Sequence, residues 1–373
     1  MLKHYRVPLF ELLYTKLSEQ GHDLRVVCGD PPAVELTRND NRKIDAHWCY
    51  FPGSYWLFTN KLHWLHNSRE HLQWADLIIS EQASKHIHNY LALFLRRYGN
   101  KRLAWWGHGR NLQGNPRSLR EYFKRQLASR CDWWFAYTQG VAEYLVSLGY
   151  PRERITVLNN SVDTDNFRKS LDSVDQYDLD DWGQSLTIPT NAKVGLFCGS
   201  LHPDKCLPFL LKAANRIHKE IPEFLLLIIG GGKDDEIVRS AASENEFIRY
   251  LGPVFGLDKA RAFRRAQLLL CPGLVGLAIL DSFAAGIPLC TTEIPWHSPE
   301  IEYLVTGVNG IITEHSVSDY ALKVIDLLKD EKKYIEMSKK ARAHAEQYTI
   351  EAMCDAFING INQIVQADGN GCF

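Results

Sequence analysis

Long apolar runs are missing from this chain. No segment approaches the length needed to span a bilayer, and the opening residues, MLKHYRVPLFELLY, contain no signal-peptide core. Net charge is almost absent as well: 43 Lys and Arg against 44 Asp and Glu leave -1, which gives no global reason to expect a nucleic-acid partner. The nine cysteines are odd in number and include no CxxC pair, so neither a disulfide framework nor a zinc ribbon is indicated. Repeats and low-complexity tracts are lacking, and so are the GxGxxG and GK[ST] nucleotide signatures. What these absences leave is a globular, cytoplasmic protein. Its 373 residues are too many for one small core and suit two domains.

What is present is an alternation of apolar strands and amphipathic helices. Val7, Phe10, Leu13, Tyr14 and Leu17 make one helical stripe, ended by Gly21, and a strand runs from Asp23 to Cys28. A strand expected ahead of Val7 is shortened or missing. Further strands are predicted at 75–80, 103–106, 133–137 and 155–158, with helices between them. Residues 163–181 hold seven Asp with little periodicity, and the stretch reads as an exposed linker. After it the pattern restarts: strands at 194–198, 225–229, 248–251 and 268–270 alternate with helices over 205–219, 234–244 and 258–266. The segment 316–328 opens on a capping-box variant, Ser316 with Asp319. This spacing predicts two α/β, doubly wound, Rossmann-like domains.

Aromatics crowd the first half, above all in HWCYFPGSYWLFTNKLHWLHNSREHLQW over 47–74. That stretch reads either as half-buried packing or as a surface for stacking a sugar or lipid acceptor. Between Lys101 and Arg130 there are eight basic residues and one acidic one, and 117–130 has the form of a basic amphipathic helix. It is compatible with an anionic membrane surface, or simply with solvent. His108 lies between two glycines at a predicted strand end, and Glu81 closes another strand.

In the second half, three loops fall at the carboxyl ends of predicted strands. Gly199, Ser200 and Lys205 precede a helix, Gly230-Gly231-Gly232 closes an apolar strand, and Cys271 to Gly276 leads to a helix bearing Asp281. Glycines let the backbone approach a phosphate, a lysine neutralises it, and a carboxylate suits ribose hydroxyls. Together they converge on a nucleotide diphosphate.

These segments also resemble a known family. VGLFCGSLHPDKCLPFLLKA, FLLLIIGGG, CPGLVGLAILDSFAAGIPLCTT and SPEIEYLVTGVNGIIT occur in the order found in glycosyltransferase family 4, and PRERITVLNNSVDTDNF resembles the end of that family's first domain. The resemblance implies a GT-B fold, two Rossmann-like domains facing a cleft. It also implies retaining, metal-independent transfer of a hexose from a UDP- or GDP-linked donor. The family holds ribose and sugar with two carboxylates eight residues apart. Asp281 matches the second, while Gly273 stands at the first. Backbone N–H groups of Gly273, Leu274, Val275 and Gly276 are then expected to contact the sugar, and Glu300 is a further candidate cleft carboxylate. Ser200 replaces the family's arginine, and Lys205 keeps its lysine. His108 and Glu81 are the candidate catalytic residues, and Asp163-Thr164-Asp165 reads as an interdomain turn rather than a metal motif.

The expected domains are 1–168 on the acceptor side, a linker over 169–190, a nucleotide-sugar domain over 191–346, and a helix over 347–373 packing back on the first domain. The expected function is synthesis of bacterial surface polysaccharide on a glycan or lipid-linked acceptor, at the inner face of the membrane. Two alternatives are a non-catalytic nucleotide-sugar binder or scaffold with a degenerate site, and a GT-B nucleotide-sugar epimerase.

Overall fold

The computed structural model describes residues 2–32, 44–109 and 127–369. The chain forms two compact units, Met1–Val162 with Ile350–Phe373, and Asp163–Thr349.

In the first unit, strands β1 (Val26–Val27) and β2 (Cys49–Tyr50) pair in parallel, and β3 (Ser54–Leu57) and β4 (Leu62–Leu65) form an antiparallel hairpin. The main sheet is β5 (Leu77–Glu81), β6 (Arg102–Gly107), β7 (Trp133–Ala136) and β8 (Ile155–Val157), parallel and in sequential order. Both faces of such a sheet must be covered, and the two-residue period divides its side chains between two cores. Leu103, Trp105, Trp134 and Ala136 face one core with Leu145 and Ile155. Ala104, Trp133 and Phe135 face the other, against Leu9 and Leu13 of the helix Val7–Glu19 and Met353, Phe357 and Ile361 of the helix Ile350–Gly369. Gly360 permits that last approach, since a Cβ there would lie 2.5 Å from the Phe135 ring. The buried indoles keep partners for their N–H groups: Trp133 donates to the Thr156 hydroxyl at 2.8 Å, and Trp134 to the Ala128 carbonyl at 2.8 Å.

The second unit is a six-stranded parallel sheet: β9 (Lys193–Cys198), β10 (Phe224–Ile229), β11 (Ile248–Gly252), β12 (Leu268–Leu270), β13 (Leu289–Thr292) and β14 (Gly310–Thr313). Its spatial order is β11-β10-β9-β12-β13-β14, the 3-2-1-4-5-6 order of a dinucleotide-type fold. Every residue of β10 is buried, as continuous apolar sequence in a central parallel strand requires. The chain reverses direction across the sheet between β9 and β12, which pair through Leu268 with Gly195 and Leu269 with Leu196.

The segment read as a linker is instead part of this unit. Thr164–Asp172 and Gln176–Ser185 are helices, and the boundary falls after Val162 rather than at 168. The aspartates that suggested solvent exposure are partly caps: Asp163 accepts from the Asn166 N–H at 2.9 Å, and Asp175 from the Asp178 N–H at 2.7 Å. Phe167, Leu171 and Leu179 are buried, and the Phe167 ring sits 5.2 Å from that of Phe263. The Asp163-Thr-Asp165 triplet is absorbed in the same way, with Asp165 paired to Arg168 at 3.3 Å.

Candidate functional site

In an open parallel sheet the place for a ligand is the crevice outside the carboxyl ends of the strands, where the strand order reverses. Two of the three loops singled out by sequence flank that point. The loop Gly199–Lys205 leaves β9, makes one 3-10 turn over Pro203–Lys205 and enters the helix Leu207–Glu220 through Cys206, at φ 55°. No side chain caps that helix, which begins with a proline in its first turn. The second loop leaves β12 and reaches the helix Ala278–Ala285.

The two loops are fastened together. Lys205 Nζ donates to the Leu274 carbonyl at 2.5 Å, and the Leu274 N–H to the Asp204 carbonyl at 2.7 Å. A Cβ on Gly273 would lie 2.4 Å from the Asp204 oxygen and 2.6 Å from Lys205 Cα. Backbone therefore occupies the space a side chain would need, and no carboxylate fits at this position without moving the Lys205 loop.

The Gly230-Gly231-Gly232 turn has a different role from the one expected. A Cβ on Gly230 would stand 1.8 Å from the Gly199 oxygen, and one on Gly232 2.3 Å from the Leu201 oxygen. These glycines admit the neighbouring loop. Their amides are engaged as well: Gly230 N–H donates to the Gly252 carbonyl at 2.8 Å, and Gly232 N–H to the Asp235 carboxylate at 3.1 Å.

Of the four amides expected to contact the sugar, two are engaged within the protein. Leu274 N–H is held by Asp204, and Val275 N–H donates to Nδ1 of His297 at 3.1 Å. His297 is 7% exposed, and its Nε2 faces the Thr292 carbonyl at 2.8 Å. The ring thus accepts at Nδ1 and donates at Nε2, and burial, which lowers its pKa, keeps it neutral. An open depression of about 520 Å³ adjoins it, lined by Glu293, Ile294, Pro295, His297, Thr306 and Ile312.

Asp281 lies in the first turn of its helix, where its described partner is Lys259 at 2.8 Å. Burial opposes the charge of Lys259, but Asp281 and Cys198 together favour it, and on balance the lysine pKa is raised. Lys259 also lies over the ring of Phe167, 4.5 Å from its centroid. At the end of β9 the Cys198 thiol is pushed up to about 12 by burial, and Lys259, Asp281, Cys271 and Lys205 all act on it electrostatically. These charged groups therefore converge on the carboxyl end of the first strand. Sequence reasoning missed Lys259, which lies on an ordinary amphipathic helix, and His297, since no spacing rule ties it to Val275. Glu300, a candidate cleft carboxylate, is 2% exposed in the 3-10 segment Pro299–Tyr303 and lies inside the unit.

In the first unit, Glu81 is the last residue of β5, in register with Trp106 of β6. His108 follows β6, exposed, with its ring 4.5 Å from that of Tyr137. Both candidates stand at the carboxyl edge of that sheet. The aromatic stretch divides between the two readings: Trp48 and Leu65 are buried, whereas Tyr55, Phe58 and Trp64 are 59%, 72% and 46% exposed on the hairpin. Of the basic segment 117–130, residues 117–126 lie outside the described residues. Among the described residues no helix is long and apolar enough to cross a membrane.

Comparison with known proteins agrees with this geometry. Residues 10–166 match the model of Glycosyltransferase Family 4, and 192–330 that of Glycosyl transferases group 1. A D-inositol 3-phosphate glycosyltransferase of Thermobispora bispora is 25% identical over 247 residues, 62% of this chain and 56% of that protein. The chain thus spans little more than half the length of that relative. An uncharacterized glycosyltransferase of Haemophilus influenzae is 23% identical over 350 residues, 91% of each chain. Among solved structures, Anabaena HepE in complex with UDP superposes with a TM-score of 0.69 at 15% identity, over 95% of each chain, and the same protein is also known in complex with UDP-glucose. With a Glycosyltransferase Family 4 domain over 10–166, a Glycosyl transferases group 1 domain over 192–330 and the 3-2-1-4-5-6 sheet between β9 and β14, the chain belongs to the glycosyltransferases of the GT-B fold.

Proposed function

We propose that the protein is a retaining glycosyltransferase that takes a hexose from a UDP-linked donor, GDP being the second choice. The observation that carries this reading is the fastening of the Gly199–Lys205 loop to the β12 loop, on either side of the strand-order reversal. The uncapped helix N-terminus at Leu207 and the Lys205 ammonium suit a diphosphate. HepE, which has this fold, binds UDP and UDP-glucose.

In the mechanism we assign, Lys205 stabilises the charge that builds on the leaving diphosphate, the task a metal ion performs elsewhere. Asp281, paired with Lys259 at 2.8 Å, accepts from the ribose hydroxyls. The sugar is oriented by the remaining N–H groups of Gly273 and Gly276, because those of Leu274 and Val275 are engaged. Ser200, on the Gly199–Lys205 loop, is a neutral donor in place of the family's arginine. As the anomeric bond breaks with oxocarbenium character, the acceptor hydroxyl attacks from the same face and its proton passes to the departing phosphate oxygen. Acceptor binding belongs to the first unit, with His108 and Glu81 as its orienting groups. The exposed Tyr55, Phe58 and Trp64 favour a glycan or lipid-linked acceptor of surface polysaccharide synthesis, handled at the inner face of the membrane.

A second reading, a nucleotide-sugar binder without turnover, is favoured by Gly273, since the family's first carboxylate has no room there. One experiment separates the two. Thermal shifts are measured with UDP, GDP, ADP, CMP and their sugar conjugates, on the wild type and on Lys205→Gln, followed by donor hydrolysis and transfer assays. We expect UDP to stabilise the wild type and Lys205→Gln to weaken its binding 10- to 100-fold, about 1.4–2.8 kcal/mol. No shift with any nucleotide sinks both readings; binding with neither hydrolysis nor transfer selects the second.

A further inference from the structure

The first unit contains a cluster that this function does not use. His63 on β4, His86 at the N-cap of the helix Ile87–Tyr98 and His88 in its first turn each bring a ring nitrogen within 4.8 Å of the other two. The backbone sets this arrangement: His63 bridges to His86 in parallel fashion, and its N–H donates to the Lys85 carbonyl at 2.8 Å. The rings of His63 and His86 meet edge to face at 5.0 Å, and those of His86 and His88 stack at 5.1 Å.

Three imidazoles can gather as ordinary packing, but packed histidines normally satisfy their nitrogens. Here they do not. His63 is 3% exposed, and its Nε2 is buried without a hydrogen-bond partner, as is Nδ1 of His88. Nδ1 of His63 and Nδ1 of His86 face each other at 3.0 Å. Two ligands on a tetrahedral zinc with bonds of 2.0–2.1 Å stand about 3.3 Å apart, so little movement would admit an ion between them. Gly29 lets the backbone pack directly against this ring, since a Cβ there would lie 2.6 Å from His63 Nε2 and 2.8 Å from Ser54 Oγ. On its far side, Nε2 of His86 lies 3.9 Å from a Glu81 carboxylate oxygen, a charge neighbour rather than a hydrogen bond.

We propose that His63, His86 and His88 bind one divalent transition-metal ion of the zinc type, which clamps the β3–β4 hairpin to the helix Ile87–Tyr98. The proposal does not depend on the donor site, which lies in the other unit.

The test uses the full chain, stripped with a chelator and titrated with Co²⁺ and Zn²⁺. We expect one equivalent per chain, visible d–d bands of low-coordinate Co²⁺, and a rise in Tm with Zn²⁺. His88→Gln and His86→Asn should each weaken binding at least 100-fold, while Cys28→Ser leaves it unchanged. X-ray absorption on the wild type, expected to show nitrogen ligands without sulfur, needs no variant and covers the case in which one fails to fold. Absence of stoichiometric binding, sulfur in the absorption spectrum, loss of the site in Cys28→Ser, or indifference to both histidine variants would each overturn the proposal.

Discussion

The two units use the same parallel-strand chemistry and differ in what stands at the carboxyl edge. In the second unit the edge is built on backbone contacts: Gly273 and Gly230 bring three loops into direct contact. In the first it is made of side chains, with Glu81, His108 and the histidine trio standing near exposed aromatics. A backbone-built site admits little substitution and recognises a constant group such as a diphosphate. A side-chain-built site can vary with its acceptor while the sheet beneath it stays the same.

The sharpest way to break the comparison is to add one methyl group to the second unit. Gly230→Ala should cost about 4 kcal/mol or more, because the Cβ would meet the Gly199 carbonyl at 1.8 Å and φ is +137°. Urea unfolding measures the loss, and near-wild-type stability would mean that the loops are not held in contact.

Next in size is Asp281→Ala, which leaves Lys259 without its carboxylate. We expect a loss of roughly 2–3 kcal/mol, less than for a fully buried pair because both side chains keep some exposure (24% and 17%). Adding Lys259→Met should recover much of that stability without recovering nucleotide affinity. Recovery of both would remove Asp281 from the ribose site.

The smallest effect is one of pH. Arg261 donates to Asp178 and holds its carboxyl below the ordinary 3.8, linking the helix Gln176–Ser185 to Gly256–Arg265. A lowered folded pKa stabilises fully above the unfolded value and is lost as pH falls through the folded one. Hydrogen-exchange protection of Gln176–Ser185 should therefore hold above about pH 3.8 and decline below it. Asp178→Asn should show no such decline; an equal decline in that variant would assign it to another group.

Much of this was legible in the sequence, because continuous apolar strands, helical stripes and strand-end glycines are local signals. The helix Val317–Lys329 begins at the expected cap, with the Ser316 hydroxyl accepting from the Asp319 N–H at 3.5 Å. The acidic segment misled because its aspartates were weighed as charge, whereas at 163 and 175 they act as caps by position. Lys259 and His297 were illegible for another reason: each acts through a partner 22 residues away along the chain, 281 and 275 respectively.

The sequence by itself determined the strand and helix alternation, the loops at the strand ends and the kinship with family 4, since all three reside in short-range pattern and order. Only the tertiary structure decided which glycines stand against another loop, which amides are already engaged, and that three histidines from two elements come together. Those depend on distances between segments far apart in the chain, which no local pattern encodes.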